Sequence, residues 1–202
     1  MARKRSFGQD GAPTALDRLG RWLSTRRFRK SLKGVSVGRA VDVGCGYDAK
    51  LGRQLFVGAD LVLVDVNVDA TLAAPNVKIL EGQLPSILSE LDDHAFDVVL
   101  CNNVLEHLWE PETALREFVR ITRPGGLCLL NVPSWLGKRA LEFSAFRLGT
   151  SPRVEMNDHK NYYDPKDLWP LLIRAGFAPS DVHCRRHKLG LNTIAVCQRA
   201  GL

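Results

Sequence analysis

The sequence predicts an α/β protein built on an open, largely parallel sheet with helices on both faces. Two patterns carry that prediction. Short apolar runs end in residues that bear chemistry: Val41 to Val43 leads into Gly44-Cys45-Gly46, and Leu61 to Val64 ends in Asp65. Between such runs lie helical patterns, and alternation of this kind implies parallel strands joined by crossovers. The 202 residues are 45% hydrophobic and 25% charged, the composition of one ordinary globular domain with a sizeable core.

The elements follow in order. In a basic N-terminal extension, residues 1–38, Leu16, Leu19, Trp22 and Leu23 can share one helical face, which packs on the remaining domain, residues 39–202. The first two strands are the runs ending at Val43 and Asp65, and Asn76 to Glu81 is a third β-rich run. Leu84 to Leu91 has the apolar spacing of a helix, and Phe96 to Cys101 reads as the fourth strand. Pro111 suits a first helical turn, Ala114, Leu115, Phe118 and Val119 supply an apolar face, and Pro124-Gly125-Gly126 stops that helix before a strand over Leu127 to Val132. Residues 133–163 show no clear periodicity, and loops of that length are usually functional or disordered. A helix over Pro165 to Ala175, capped by Gly176, precedes strands over Val182 to Arg186 and Leu191 to Gln198. The short His187 to Gly190 connection permits an antiparallel pair, whereas a parallel return would need about a dozen residues or more.

Charge is unevenly distributed. Eleven Lys and Arg precede residue 40 against only Asp10 and Asp17, leaving 17 basic and 20 acidic residues in the rest. An anionic membrane surface is therefore a candidate partner of the extension, while the lack of any RNA-binding signature argues against nucleic acid. No apolar run approaches the roughly 18 residues of a membrane span and the N-terminus lacks a signal peptide's apolar centre, so a cytoplasmic location is expected, membrane-peripheral if the extension binds lipid. Five cysteines, with no C-x-x-C pair, read as reduced core residues.

The glycine loop demands a ligand. Gly44-Cys45-Gly46-Tyr47-Asp48-Ala49 fits the G-x-G-x-x-G/A dinucleotide spacing, and Asp65 suits the two hydroxyls of a ribose. Asp42 and Asp48, however, would repel a pyrophosphate and attract an ammonium or sulfonium. These residues, together with Phe96 to Leu108 and Arg123-Pro124-Gly125-Gly126, resemble the class I S-adenosylmethionine-dependent methyltransferases, and most closely the small-molecule enzymes of the ubiquinone and menaquinone type. The resemblance runs from about Arg39 to the C-terminus. It implies a Rossmann-like doubly wound sheet with an antiparallel last strand, S-adenosylmethionine as cofactor and S-adenosylhomocysteine as product. By that resemblance Asp42, Gly44 and Gly46 line the methionine portion, Asp65 holds the ribose, and Val66 packs beside the adenine. Gln83, followed by Leu84, accepts from the adenine amino group in place of the family's usual acid, and Asn102 borders the transferring methyl. The segment 133–163 contributes to the acceptor pocket.

Methyl transfer needs chiefly an aligned nucleophile about 3 to 3.5 Å from the methyl carbon. A hydroxyl acceptor also gains from a base, for which His107 and His159 are the candidates. Trp135, Arg139, Tyr162 and Tyr163 can hold a ring-shaped or anionic acceptor, with Phe143, Phe146, Arg147, Arg153 and Lys160 of similar character nearby. His183 and His187 would lie about 13 Å apart along a strand, too far to share a metal, and no metal is assigned. The acceptor is expected to be a small molecule or a lipid- or glycan-linked one, methylated at oxygen. Two other classes remain to be weighed: an NAD(P)-dependent oxidoreductase, and a non-catalytic protein that binds an anionic partner through its basic arm.

Overall fold

In the computed structural model, which describes residues 15–143 and 159–201, the strands are β1 (Arg39–Val43), β2 (Asp60–Asp65), β3 (Val77–Glu81), β4 (Phe96–Asn102), β5 (Thr122–Pro133), β6 (Val182–His187) and β7 (Asn192–Gln198). They form one sheet in the order β3-β2-β1-β4-β5-β7-β6. β1 lies between β2 and β4, parallel to both, with Val43 opposite Val64 on one side and Cys101 on the other. The carboxyl ends of these three strands therefore line up where the strand order reverses, the place at which open α/β sheets bind ligands. β7 runs antiparallel to both β5 and β6, as the short connection predicts.

The helices are α1 (Ala15–Ser31), α2 (Lys50–Leu55), α3 (Pro111–Ile121), α4 (Trp135–Phe143) and α5 (Pro165–Ala175). Alternation along the strands splits the core between the two faces of the sheet. Val41, Val43, Val99 and Leu130 pack with Leu115 and Phe118 of α3 and Leu168 and Leu172 of α5. Ala40, Leu61, Leu63, Leu100 and Leu129 pack with Phe28 of α1 and Leu51 of α2 on the other face. An ion pair from Arg174 Nη2 to Glu112 Oε1, 2.8 Å, ties α5 to α3. Arg199, just past β7, donates to the carbonyls of Val119 at 2.7 Å and Arg120 at 3.1 Å, and so satisfies the C-terminal end of α3.

Three expectations are corrected. The stretch Leu84 to Leu91 forms only a 3-10 turn at Ser86–Glu90, with Pro85 at its N-cap and extended backbone again at Leu91. Ile87 and Leu88 are still buried by it. Residues 123–126 do not intervene between helix and strand: α3 stops at Ile121, and Thr122 to Gly126 already belong to β5. The buried face of α1 also differs from the predicted Leu/Trp stripe. Ser24, Thr25 and Phe28, at i, i+1 and i+4, are buried, whereas Leu19 is 51% and Trp22 54% exposed. The aromatic ring at 28 packs on the α2 side of the sheet, and the guanidinium of Arg26 lies 5.5 Å from the centroid of the outward Trp22 ring. Leu16 and residues 1–14 lie outside the residues whose side chains are described. Among the described residues no helix is long and apolar enough to cross a membrane.

Phe28→Ala should accordingly cost about 3–5 kcal/mol in chemical denaturation, and Trp22→Ala less than about 1 kcal/mol. Equal losses would mean that α1 packs through the other face.

Candidate active site

The loop after β1 is folded tightly over the end of β2. Gly44 N and Cys45 N both donate to Val64 O, at 2.8 and 3.1 Å. Gly44 adopts φ 70°, and a Cβ there would lie 2.1 Å from Val104 Cγ2, so no side chain fits. Two amides orient the Asp65 carboxylate: Gly46 N donates to Oδ2 and Val66 N to Oδ1, each at 2.7 Å. Asp65 is thereby fixed at the carboxyl edge of the sheet, with one amide on each oxygen. Val66 beside it is 46% exposed. Gly82 N donates to Asp65 O at 3.0 Å, which sets the exposed Gln83 and half-buried Leu84 at the start of the neighbouring turn.

Asp42 sits beneath this loop, not in its mouth. It is 2% exposed, and its Oδ2 accepts from Gly52 N of α2 at 3.1 Å. The contact requires glycine at 52, since a Cβ would come within 2.5 Å of that oxygen. Burial pushes the Asp42 carboxyl up to about 7, and the negative charge of Asp65 adds to the rise.

Asn102, at the end of β4, does not act alone. The buried Asn131 of β5 donates through Nδ2 to Asn102 Oδ1 at 3.1 Å and to Asn103 Oδ1 at 2.9 Å, while Asn103 N donates to Asn131 O at 2.8 Å. This amide bracket holds the start of the loop after β4. A polar residue inside the strand Leu127 to Val132 was the available signal for Asn131, and sequence reasoning did not use it.

The two candidate bases come together. His107 ends the 3-10 turn Leu105–His107, and its ring centroid lies 4.8 Å from that of His159 at an interplanar angle of 65°. His159 Nδ1 and Tyr162 Oη are 3.1 Å apart, and Tyr162 in turn lies 5.6 Å from Trp135, centroid to centroid. The returning segment is clamped by main chain: Lys160 N and Asn161 N both donate to Glu106 O, at 2.7 and 3.2 Å. Asn161 Nδ2 adds a bond to Leu108 O at 3.1 Å. The side chain of Glu106 is 1% exposed, and its Oε2 is buried with no hydrogen-bond partner. Burial pushes that carboxyl up to about 8, which the ammonium of Lys188 partly offsets. Glu106 was not singled out from sequence, where it is one acid in a turn; only the fold reveals that it is buried.

The acceptor-segment residues divide by depth. Trp135 is half-exposed on α4, with its indole N–H donating to Asp167 Oδ2 at 3.2 Å, and the exposed Arg139 follows one helical turn later. Lys138 Nζ lies 5.5 Å from the Trp135 ring centroid and 5.7 Å from that of Tyr162. Tyr163, 5% exposed, belongs to the core; burial holds its phenol well above the ordinary range. Phe146, Arg147 and Arg153 fall outside the described residues, as does the side chain of Phe143.

A family described as "Methyltransferase domain" matches residues 41–130. The chain carries a class I S-adenosylmethionine-dependent methyltransferase domain. This methyltransferase is 25% identical over 171 residues to a ubiquinone biosynthesis O-methyltransferase of Neisseria meningitidis, covering 79% of this chain and 71% of that one. It is 30% identical over 158 residues to a protein of Mycolicibacterium smegmatis named "Probable S-adenosylmethionine-dependent methyltransferase", covering 75% of this chain and 56% of the other. Among solved structures, a SAM-dependent methyltransferase of Thermotoga maritima superposes with TM-score 0.60 at 20% identity, over 92% of this chain and 96% of that one. These relatives do not favour the nicotinamide reading that the glycine spacing alone would admit.

The residues fit S-adenosylmethionine: a side-chain-free loop at Gly44 and an oriented acid at Asp65 stand at one edge, above the buried carboxyl of Asp42. When bound, that cofactor supplies an electrophilic methyl group on a sulfonium. Asp65→Ala should weaken S-adenosylhomocysteine binding by about 1–3 kcal/mol in calorimetry, and unchanged affinity would refute the ribose role. Asp42 yields a second prediction. Its folded pKa exceeds the unfolded value, so its contribution to stability is present at low pH and is lost as pH rises through about 7. Asp42→Asn keeps the acceptor for Gly52 N but cannot ionise. Its stability relative to the parent should therefore improve by about 1–3 kcal/mol between pH 5 and pH 8, and parallel pH profiles would contradict this.

Proposed function

We propose that this methyltransferase methylates an oxygen of a small-molecule or lipid- or glycan-linked acceptor. The single observation that carries the reading is the contact between His107 and His159, centroids 4.8 Å apart, beyond the carboxyl end of β4. A hydroxyl loses its proton as it attacks, and an imidazole titrates near neutral pH. His159 accepts that proton, with His107 stacked edge-on against it and Tyr162 fixing its other side. Trp135 and Tyr162 offer stacking faces, and Arg139 an unshared guanidinium plane for an anionic group on the acceptor. Gly44, Gly46, Asp65, Val66, Gln83, Leu84 and Asn102 hold the cofactor, with Asp42 buried beneath the loop and not lining it as expected, and residues 133–163 hold the acceptor. The name of the Neisseria relative, an O-methyltransferase of ubiquinone biosynthesis, agrees with a hydroxyl acceptor.

Residues 1–38 form a basic extension to the catalytic part, 39–202, and serve as a peripheral contact with anionic membrane. The half-exposed Leu19 and Trp22, with Arg26 over the indole, suit the interface between headgroups and acyl chains. Such a location is cytoplasmic and membrane-peripheral, and it suits an acceptor carrying a lipid.

Calorimetric titration with S-adenosylhomocysteine, NAD and NADP should give binding of the first alone; nicotinamide binding would overturn the reading. With an acceptor identified from a panel of phenols, hydroxylated quinols and sugar-linked lipids, His159→Ala should lower turnover about 10²-fold or more with S-adenosylhomocysteine affinity intact. Undiminished turnover would remove His159 from the mechanism.

A further inference from the structure

Beneath the acceptor segment, three donors converge that the chain supplies from two distant stretches. One ligand atom each from Glu106, His107 and His159 all lie within 4.8 Å of one another. Glu106 and His107 are adjacent in the turn after β4, and His159 returns to them after β5 and α4. The two main-chain bonds onto Glu106 O fix that return, so the juxtaposition does not depend on the side chains themselves.

The acid gives the cluster its meaning. Glu106 is 1% exposed and its Oε2 has no hydrogen-bond partner. Burying a carboxylate oxygen with no hydrogen-bond partner costs several kcal/mol. A cation between it and the two imidazoles would satisfy the oxygen and remove that penalty. Two imidazoles and one carboxylate are the donor set of divalent first-row metals that keep open positions for further ligands. Ligand atoms in a tetrahedral zinc shell stand about 3.4 Å apart, so the present spread closes with side-chain adjustments of about an ångström. His159 also has an outer partner: with Nδ1–H directed to Tyr162 Oη, 3.1 Å away, the metal-binding lone pair is on Nε2.

We propose that Glu106, His107 and His159 form a binding site for one divalent transition-metal ion, open on the side facing the acceptor segment. The ion would take a hydroxyl oxygen of the acceptor at an open position and acidify it: the O–H bond breaks, the oxygen stays on the metal, and the proton leaves to solvent. In that state both imidazoles are neutral ligands, and the metal does what His159 does without it. The metal site stands on the geometry alone; only its part in acidifying an acceptor rests on the methyltransferase reading.

The test uses the full chain, stripped with a chelator and titrated with Co2+ by visible spectroscopy and with Zn2+ by calorimetry. One equivalent should bind, with ligand-field bands of nitrogen and oxygen donors. Glu106→Gln and His159→Gln should each weaken binding at least tenfold while binding S-adenosylhomocysteine like the parent, which shows that they are folded. Absence of saturable binding by the parent, equal affinity in the variants, or a thiolate-to-cobalt charge-transfer band would overturn the site. Metal binding by a parent chain that ignores S-adenosylhomocysteine would uphold the site and remove the methyltransferase reading instead.

Discussion

The loops after β1 and β4 meet because residue 44 has no Cβ. Val104 occupies the space a side chain there would need, its Cγ2 standing 2.1 Å from the position of the missing atom. That contact joins the two halves of the site. On one side the loop continues to Gly46, whose amide orients Asp65; on the other, Val104 leads directly into the turn of Glu106 and His107. A displacement of either loop would disturb both the oriented Asp65 and the turn that carries Glu106 and His107. The parallel register of β1 with β2 and β4 makes the meeting possible, since all three strands end at the same level.

Around this junction the protein keeps acids where hydration is poor. Asp42, Asp65 and Glu106 are each at most 8% exposed. Asp42 and Glu106 hold their protons more tightly than free carboxyls because burial disfavours their charge. Such groups lower stability and raise affinity for cations, a familiar exchange at functional sites. The asymmetry suits a sulfonium ligand: the buried acids stand around the loop, while the positive side chains Lys138, Arg139 and Lys160 belong to the segment 133–163.

What was legible in the sequence was local or periodic. The strands ending at Val43, Asp65 and Asn102 announce themselves as short apolar runs, and the Gly44-Cys45-Gly46 turn needs only its own residues to be read. The acid at 65 follows from its place at a strand end. Hydropathy misplaced the packed face of α1, because it favours Leu19 and Trp22 over a face with Ser24, Thr25 and a single Phe28; which face docks is decided by what fits against α2. The apolar spacing over 84–91 marks which residues are buried, Ile87 and Leu88, but a single 3-10 turn buries them as well as an α-helix would. His107 and His159 were recognised by chemical type, yet their contact, and the approach of His159 to the buried Glu106, arise from the return of a distant segment. Asn131 escaped notice for the same reason: its partners, Asn102 and Asn103, come from the neighbouring strand and the turn beyond it.

The clamp on that returning segment is made by amides of residues 160 and 161 on one carbonyl. Main-chain bonds are indifferent to side-chain identity, so the chain between α4 and His159 can change in sequence or length while His159 keeps its station. On the function proposed above, descendants of this scaffold could thus acquire new acceptors by rewriting that stretch alone, leaving the oriented Asp65 and the His107–His159 contact as inherited fixtures. Diversification of substrate would then proceed without passing through an inactive protein.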